Sequence, residues 1–221
     1  MIFSTKAILF DMDGVLINSA PAVERVWRIW ASAHGLDPVR VIEQAHGRRS
    51  VETIRAVAPE LDTEKENLVV EQMEIDDKEG VTALPGAGEL LSKLPEDCFA
   101  IVTSATRPLA EARLGYAALP IPHHMVTADD VIHGKPFPEP YLKGAELLGF
   151  AARDCLVFED TPAGVAAAIA AGMQSIALHT TYPESALQNA NAIIESLAAV
   201  KAEVRGKTIQ LDVAPIPVVK S

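Results

Sequence analysis

The run Ala7-Ile8-Leu9-Phe10 stops abruptly at two carboxylates one residue apart, Asp11 and Asp13, closed by Gly14. Four consecutive apolar residues between Lys6 and Asp11 suit a strand buried on both faces, as in a parallel sheet, because nothing alternates toward solvent. The two carboxylates then stand at the carboxyl end of that strand. In open α/β sheets this is where the loops form a crevice for ligands.

The rest of the chain supplies partners for the strand. From Pro21 to His34, Val23, Val26, Trp27 and Trp30 recur at helical spacing and Gly35 stops the pattern. Shorter helical patterns follow at Val39 to Ala45, Ser50 to Ala58 and Thr63 to Ile75, with no strand pattern until about Cys98. Helices placed directly after a first strand, with no return to the sheet, read as an all-α insertion. The expected division is a core of residues 1–16 and 84–221 and a helical cap of residues 17–83. Trp27 and Trp30 are assigned to packing within the cap.

After Leu84-Pro85-Gly86 the pattern alternates. Strands are expected at Cys98 to Val102, His123 to Val126, Leu156 to Phe158, Gln174 to Leu178 and Ala192 to Ile194, separated by helices. Such alternation means βα units, so the fold class is α/β, a Rossmann-like three-layer core with a mostly parallel sheet plus the inserted cap. The tail from Ala202 to Leu211 alternates weakly around Gly206-Lys207 and suggests a terminal hairpin.

Composition narrows the function classes. With 221 residues, 49% of them hydrophobic, the chain can bury a substantial core. A formal net charge of −11 argues against a general nucleic-acid or anionic-membrane surface. No signal-peptide pattern is present, and no uncharged apolar run approaches the ~20 residues of a membrane span. A cytoplasmic location is expected, with no nucleic-acid or membrane partner. Cys98 and Cys155 lie in apolar runs, away from any zinc-like pattern, and are expected as free thiols.

Polar residues collect where three of these strands end: Asp11 and Asp13, Thr103 and Ser104, Glu159 and Asp160, with Lys135 on an intervening loop. Each has a plainer explanation. Asp and Gly after a strand are common turn residues, Thr103-Ser104 and Glu159-Asp160 can cap helices, and Lys135 can be a solvated charge. A calcium loop fails because Leu16 and Ile17 stand where ligands would be needed. Gly86 and Gly88 fail as a dinucleotide fingerprint because Leu91 occupies the third glycine position.

Taken in order, Asp11-Met12-Asp13-Gly14-Val15, Val102-Thr103-Ser104, Gly134-Lys135-Pro136 and Phe158-Glu159-Asp160 resemble the motifs of the haloacid dehalogenase superfamily phosphatases with a helical cap. The resemblance extends over nearly the whole chain. The segments from Gln44 to Arg49, Thr103 to Arg107 and Gly134 to Gly144 are similar to the sugar and polyol phosphatases, including the glycerol-3-phosphatase and 2-deoxyglucose-6-phosphatase group.

The resemblance implies hydrolysis of a small phosphorylated sugar or polyol, with Mg²⁺ as cofactor and the protein acting as a monomer. Asp11 would attack phosphorus to give an aspartyl-phosphate, a covalent step suited to a carboxylate. Asp13 would protonate the leaving alkoxide and later take a proton from water. Asp11, the Asp13 carbonyl and Asp160 would hold the metal, with Glu159 as a further ligand, and Thr103, Ser104 and Lys135 would bind phosphate. His46, Gly47, Arg48 and Arg49 of the cap, together with Arg107, are the candidate specificity residues. Val15 stands where many family phosphatases have threonine and is typical of the related β-phosphoglucomutases, so a phosphosugar mutase is the alternative. Those mutases carry a cap histidine at the position of Val23, and its absence here favours hydrolysis. A non-catalytic phosphate-binding module is a third reading, disfavoured because it has no need of the whole polar set.

Overall fold

The computed structural model describes residues 1–45 and 47–216. The chain opens with β1 (Ile2–Thr5) and β2 (Ala7–Phe10), followed by a two-residue strand β3 (Ile17–Asn18). Four helices come next: α1 (Ala20–Ala33), α2 (Pro38–Ala45), α3 (Ser50–Val57) and α4 (Thr63–Asp76). A second two-residue strand, β4 (Thr82–Ala83), leads to α5 (Ala87–Leu91), β5 (Phe99–Val102), α6 (Arg107–Tyr116) and β6 (Met125–Val126). The remainder is α7 (Glu139–Leu147), β7 (Cys155–Glu159), α8 (Pro162–Ala170), β8 (Gln174–Leu178), α9 (Glu184–Leu187), β9 (Ala192–Ile194), β10 (Val200–Arg205) and β11 (Thr208–Val213).

Six strands form one parallel sheet in the order β6-β5-β2-β7-β8-β9. The strand β2 is central, paired with β5 and β7, and Ala7, Ile8, Leu9 and Phe10 are each fully buried. Its side chains divide between two cores. Ile8 and Phe10 face the cluster that includes Leu109 and Leu114 of α6, whereas Ala7 and Leu9 face Tyr141 and Ala145 of α7 and Ala167 and Ala168 of α8. This division between two faces explains why the run has no polar positions. Phe10 stacks on Phe158, its partner in register on β7, at 5.2 Å between ring centroids.

The four helices between β3 and β4 have a separate core of Val26, Trp27, Trp30, Ala31, Val41, Ile42, Ala45, Ile54 and Val70. Pro21 lies in the first turn of α1, where its missing N–H costs nothing, and the Asp62 carboxylate caps α4 by accepting from Lys65 N. Trp27 and Trp30 meet edge to face, and the Trp30 indole donates to Glu66 at 2.9 Å. Both crossings between this layer and the sheet run side by side, because β3 and β4 pair antiparallel with Ile17 opposite Ala83 and Asn18 opposite Thr82.

Three local features differ from expectation. The sheet side resumes at β4, before Cys98, in a strand too short to leave a pattern. The third parallel strand holds only Met125 and Val126. The terminal hairpin is real but longer than its alternation suggested, and β1 adds to it to make a three-stranded antiparallel sheet, β1-β11-β10. That sheet covers the core with Phe3, Ile209, Leu211 and Val213. Cys98 and Cys155 are free thiols. No helix among the described residues is long and apolar enough to cross a membrane.

Candidate active site

The ends of β2, β5 and β7 and the loop carrying Lys135 converge beneath the helical layer. Asp11 follows β2 directly, and its Oδ1 accepts from Lys135 Nζ, which also donates to Glu159 Oε1. Glu159 is fully buried and fully engaged. Its Oε1 also accepts from the Tyr141 hydroxyl at 2.8 Å, while its Oε2 accepts from the backbone N–H of Asp160 and of Thr161 and from the Thr161 hydroxyl. A Cβ on Gly164 would overlap the Glu159 carboxylate, so only glycine lets α8 start this close to it.

Asp160 is 1% exposed; its Oδ2 accepts from the Thr181 hydroxyl and its Oδ1 has no partner among the described residues. Gly14 adopts a φ of +82°, and a Cβ there would lie on Asp160 Oδ2. The glycine of the opening motif thus lets the loop after β2 fold against the loop after β7. One carboxylate oxygen from each of Asp11, Glu159 and Asp160 lies within 4.8 Å of the other two.

The charges in this cluster are unevenly compensated. Burial pushes the Asp11 carboxyl up to about 7, with the Lys135 ammonium opposing the rise. Burial, followed by the charges of Glu159 and Asp11, raises Asp160 well above the ordinary carboxylate range. Burial works against a charged Lys135 too, yet Asp11 and Glu159 hold its ammonium above the usual lysine value. For Glu159 the same burial is outweighed by Lys135 and by hydrogen bonds, which keep the carboxyl below its usual value. One ammonium therefore serves three buried carboxyls. The orphaned Asp160 Oδ1 and the all-oxygen donor set fit a hard divalent cation such as Mg²⁺.

A cavity of about 110 Å³ opens above this cluster, lined by Asp11, Asp13, Thr103, Ser104 and Asp160 from the sheet side and by Val23, Gly47, Arg48, Glu71 and Glu74 from the helical layer. This is small beside the roughly 300–1,000 Å³ of sites for drug-sized ligands. Asp13 Oδ1 accepts from the Ser19 hydroxyl at 2.5 Å, and Asp13 Oδ2 from Arg113 at 2.9 Å. Thr103 is buried, with its Oγ accepting from Ala105 N at 3.1 Å. The Ser104 hydroxyl donates to the Gly47 carbonyl, and a Cβ on Gly47 would overlap Thr161, so that loop sits directly over the sheet's edge.

The structure brings together Asp11, Asp13, Thr103, Ser104, Lys135, Glu159 and Asp160, and places Gly47 and Arg48 at the cavity. Two expected specificity residues stand elsewhere. The Arg49 guanidinium pairs with Glu52 and donates to the carbonyls of Val131 and Ile132, tying the helical layer to the loop before Lys135. Arg107 donates to the Met125 carbonyl and lies near Asp130, at the start of α6. Both are held by partners away from the cavity lining. His46 lies outside the described residues. Sequence reasoning missed Ser19, Glu71, Glu74, Arg113, Tyr141 and Thr181, all placed against the site by the fold. Only Tyr141 had a signal, as part of a segment shared with the sugar and polyol phosphatases.

Comparison with known proteins agrees with this geometry. Residues 5–172 match the family of haloacid dehalogenase-like hydrolases. Hexitol phosphatase A of Escherichia coli is 44% identical over 200 residues, covering 88% of this chain and 93% of that protein. Glycerol-1-phosphate phosphohydrolase 2 of Saccharomyces cerevisiae is 37% identical, covering 80% of this chain and 76% of its own. Among solved structures, a hydrolase from Pseudomonas syringae superposes with a TM-score of 0.78 at 26% identity, over 87% of this chain and 94% of that one. The chain belongs to the haloacid dehalogenase-like hydrolase family, in which it stands with the phosphatases as a phosphoric monoester hydrolase.

Proposed function

We propose that the protein hydrolyses a small phosphorylated polyol or sugar with Mg²⁺ as cofactor, through an acyl phosphate formed on Asp11. The observation that carries this reading is the cluster of Asp11, Lys135, Glu159 and Asp160 with its one unpartnered carboxylate oxygen, set at the floor of a small polar cavity. Asp11, Asp160 and the Asp13 carbonyl would hold the ion, which supplies positive charge against the phosphoryl oxygens when bound. Glu159 contributes differently from expectation. With both oxygens already engaged by five donors, it orients Lys135 rather than serving as a direct ligand.

The residues of the chain divide the reaction between them. Lys135 and the Thr103 hydroxyl bind phosphoryl oxygens and align the phosphorus with Asp11, so that attack becomes an intramolecular step. Asp13 acts on the leaving oxygen. Its Oδ2 is tied to Arg113, so Oδ1, shared with the rotatable Ser19 hydroxyl, carries the proton to the leaving alcohol. The same oxygen then takes a proton from the water that cleaves the acyl phosphate. The helical layer acts as the cap, excluding bulk water and contacting the alcohol.

Hydrolysis is favoured over a mutase by the cavity wall. Val23 presents an apolar side chain there, and Glu71 and Glu74 add negative charge to the lining, which disfavours a second phosphate. Assay of a panel of glycerol, hexitol and hexose phosphates with Mg²⁺ tests the reading. Phosphate release from at least one polyol or sugar ester is expected, and Asp11→Asn is expected to lower turnover by at least about 10⁴-fold. Near-normal turnover by that variant, or interconversion of sugar phosphates without phosphate release, would exclude it.

A further inference from the structure

Arg113 is a costly residue for this position. It projects from α6, is 5% exposed, and lines the cavity between a residue of the sheet side and one of the helical layer. One terminal nitrogen donates to Asp13 Oδ2 at 2.9 Å, and the other lies 3.5 Å from Glu74 Oε1 on α4. Its Nε is buried without a partner among the described residues. Glu74 is itself 7% exposed and lines the same cavity, next to Glu71, whose carboxylate accepts from the Thr106 hydroxyl. A buried ion pair adds little to stability, and an unpaired buried donor lowers it. The arrangement makes sense if a ligand completes it.

Because Arg113 touches Asp13, which the proposed mechanism places at the leaving oxygen, the pair lies beside the departing alcohol. We propose that Arg113 and Glu74 are specificity-determining residues that read a hydroxyl group on the alcohol close to the scissile ester. A hydroxyl both accepts and donates, so it can take the spare guanidinium N–H and give its own hydrogen to the Glu74 carboxylate. A methylene in its place leaves both groups desolvated and unpaired. A carboxylate in its place faces Glu71 and Glu74 at close quarters. The pair therefore selects uncharged, hydroxyl-bearing leaving groups over alkyl and over carboxylated ones, by attraction and by exclusion together.

This inference rests on the proposed phosphatase reading, and the test separates the two. With Mg²⁺-loaded protein, kcat/KM is measured for glycerol phosphate and a hexitol phosphate, for propyl phosphate, and for 3-phosphoglycerate. The native protein is expected to favour the better polyol ester over propyl phosphate by about 100-fold or more. Glu74→Gln, which preserves shape, is expected to shrink that ratio by at least about tenfold and to raise 3-phosphoglycerate relative to the polyol esters. Since Arg113 also holds Asp13, Arg113→Lys is read by calorimetric binding in an Asp11→Asn background. There the preference for polyol over propyl ester is expected to fall by a similar factor. If both variants slow or weaken every ester by one common factor, the pair is structural and the inference fails while the phosphatase reading stands. If the native protein releases phosphate from no ester in the panel, the phosphatase reading fails and takes this inference with it.

Discussion

The two walls of the cavity are built on different terms. On the sheet side, Asp11, Lys135, Glu159 and Asp160 are buried, with Lys135 bridging Asp11 and Glu159 and the Asp160 backbone N–H held by the Glu159 carboxylate. On the helical side, Gly47 is partly exposed, and Arg48 is exposed, its guanidinium donating to Gln44 at 3.3 Å. Preorganised charge needs a rigid, dry frame, and the parallel sheet supplies it by fixing three strand ends in register. Recognition of an alcohol needs only the right groups at the right distance. The four helices have a core of their own, so groups such as Arg48 that make no hydrogen bond to the sheet side among the described residues can change with little effect on the frame.

Four measurements can break or sharpen this contrast. The largest effect is expected on the rigid wall: Glu159→Gln frees Lys135 and should lower kcat by roughly 100-fold. The Mg²⁺ concentration for half-activation should stay nearly unchanged in that variant and rise in Asp160→Asn. An equal shift in both would make Glu159 a direct ligand. Next, Trp30→Ala empties the core of the helical layer, where Trp30 is 2% exposed, and should cost about 3–5 kcal/mol in denaturant unfolding. If the two layers pack separately, near-ultraviolet signals from the helical layer should be lost before amide protection of the sheet.

The third measurement concerns pH. The Asp11 carboxyl is raised in the folded protein from 3.8 to about 7, so between those values the native state keeps a proton that the unfolded state has released. Its contribution to stability is then complete below about pH 4 and lost as pH rises through about 7. Without metal, the native protein should lose melting temperature relative to Asp11→Asn between pH 5 and pH 7, and saturating Mg²⁺ should remove the difference. The smallest effect is expected from Arg48→Ala on the open wall. A change of only a few-fold in kcat/KM, unequal between polyol and hexose esters, is expected; a uniform loss of about 100-fold would put Arg48 in the rigid set.

What the sequence revealed follows the same division. The central strand was legible because burial on both faces leaves an uninterrupted apolar run, and the polar set because it stands at strand ends in a fixed order. Arg113 was not legible. It is one arginine in an ordinary helix, and its partner Asp13 lies 100 residues away in the chain. Glu71 and Glu74 carry no signal for the same reason: only the packing of α4 against α6 turns them toward the cavity. The small sheet was half visible, since β10 and β11 alternate, while β1 is an edge strand of four residues whose partner is at the far end of the sequence. The places of Arg49 and Arg107 were not legible, because a positive charge near a phosphate motif looks the same in sequence whether it meets a ligand or, as both do in the structure, a backbone carbonyl.

The pairing of β3 with β4 has an engineering consequence. Asn18 and Thr82 face each other as neighbours across an antiparallel ladder, so the polypeptide leaves and re-enters the catalytic layer at a single point. The 63 residues between them form a cassette whose two ends lie as close as those of a β-hairpin. Grafting another helical layer at this junction leaves every strand of the parallel sheet threaded as it is, while the contacts from Glu74 to Arg113 and from Gly47 to Ser104 have to be rebuilt.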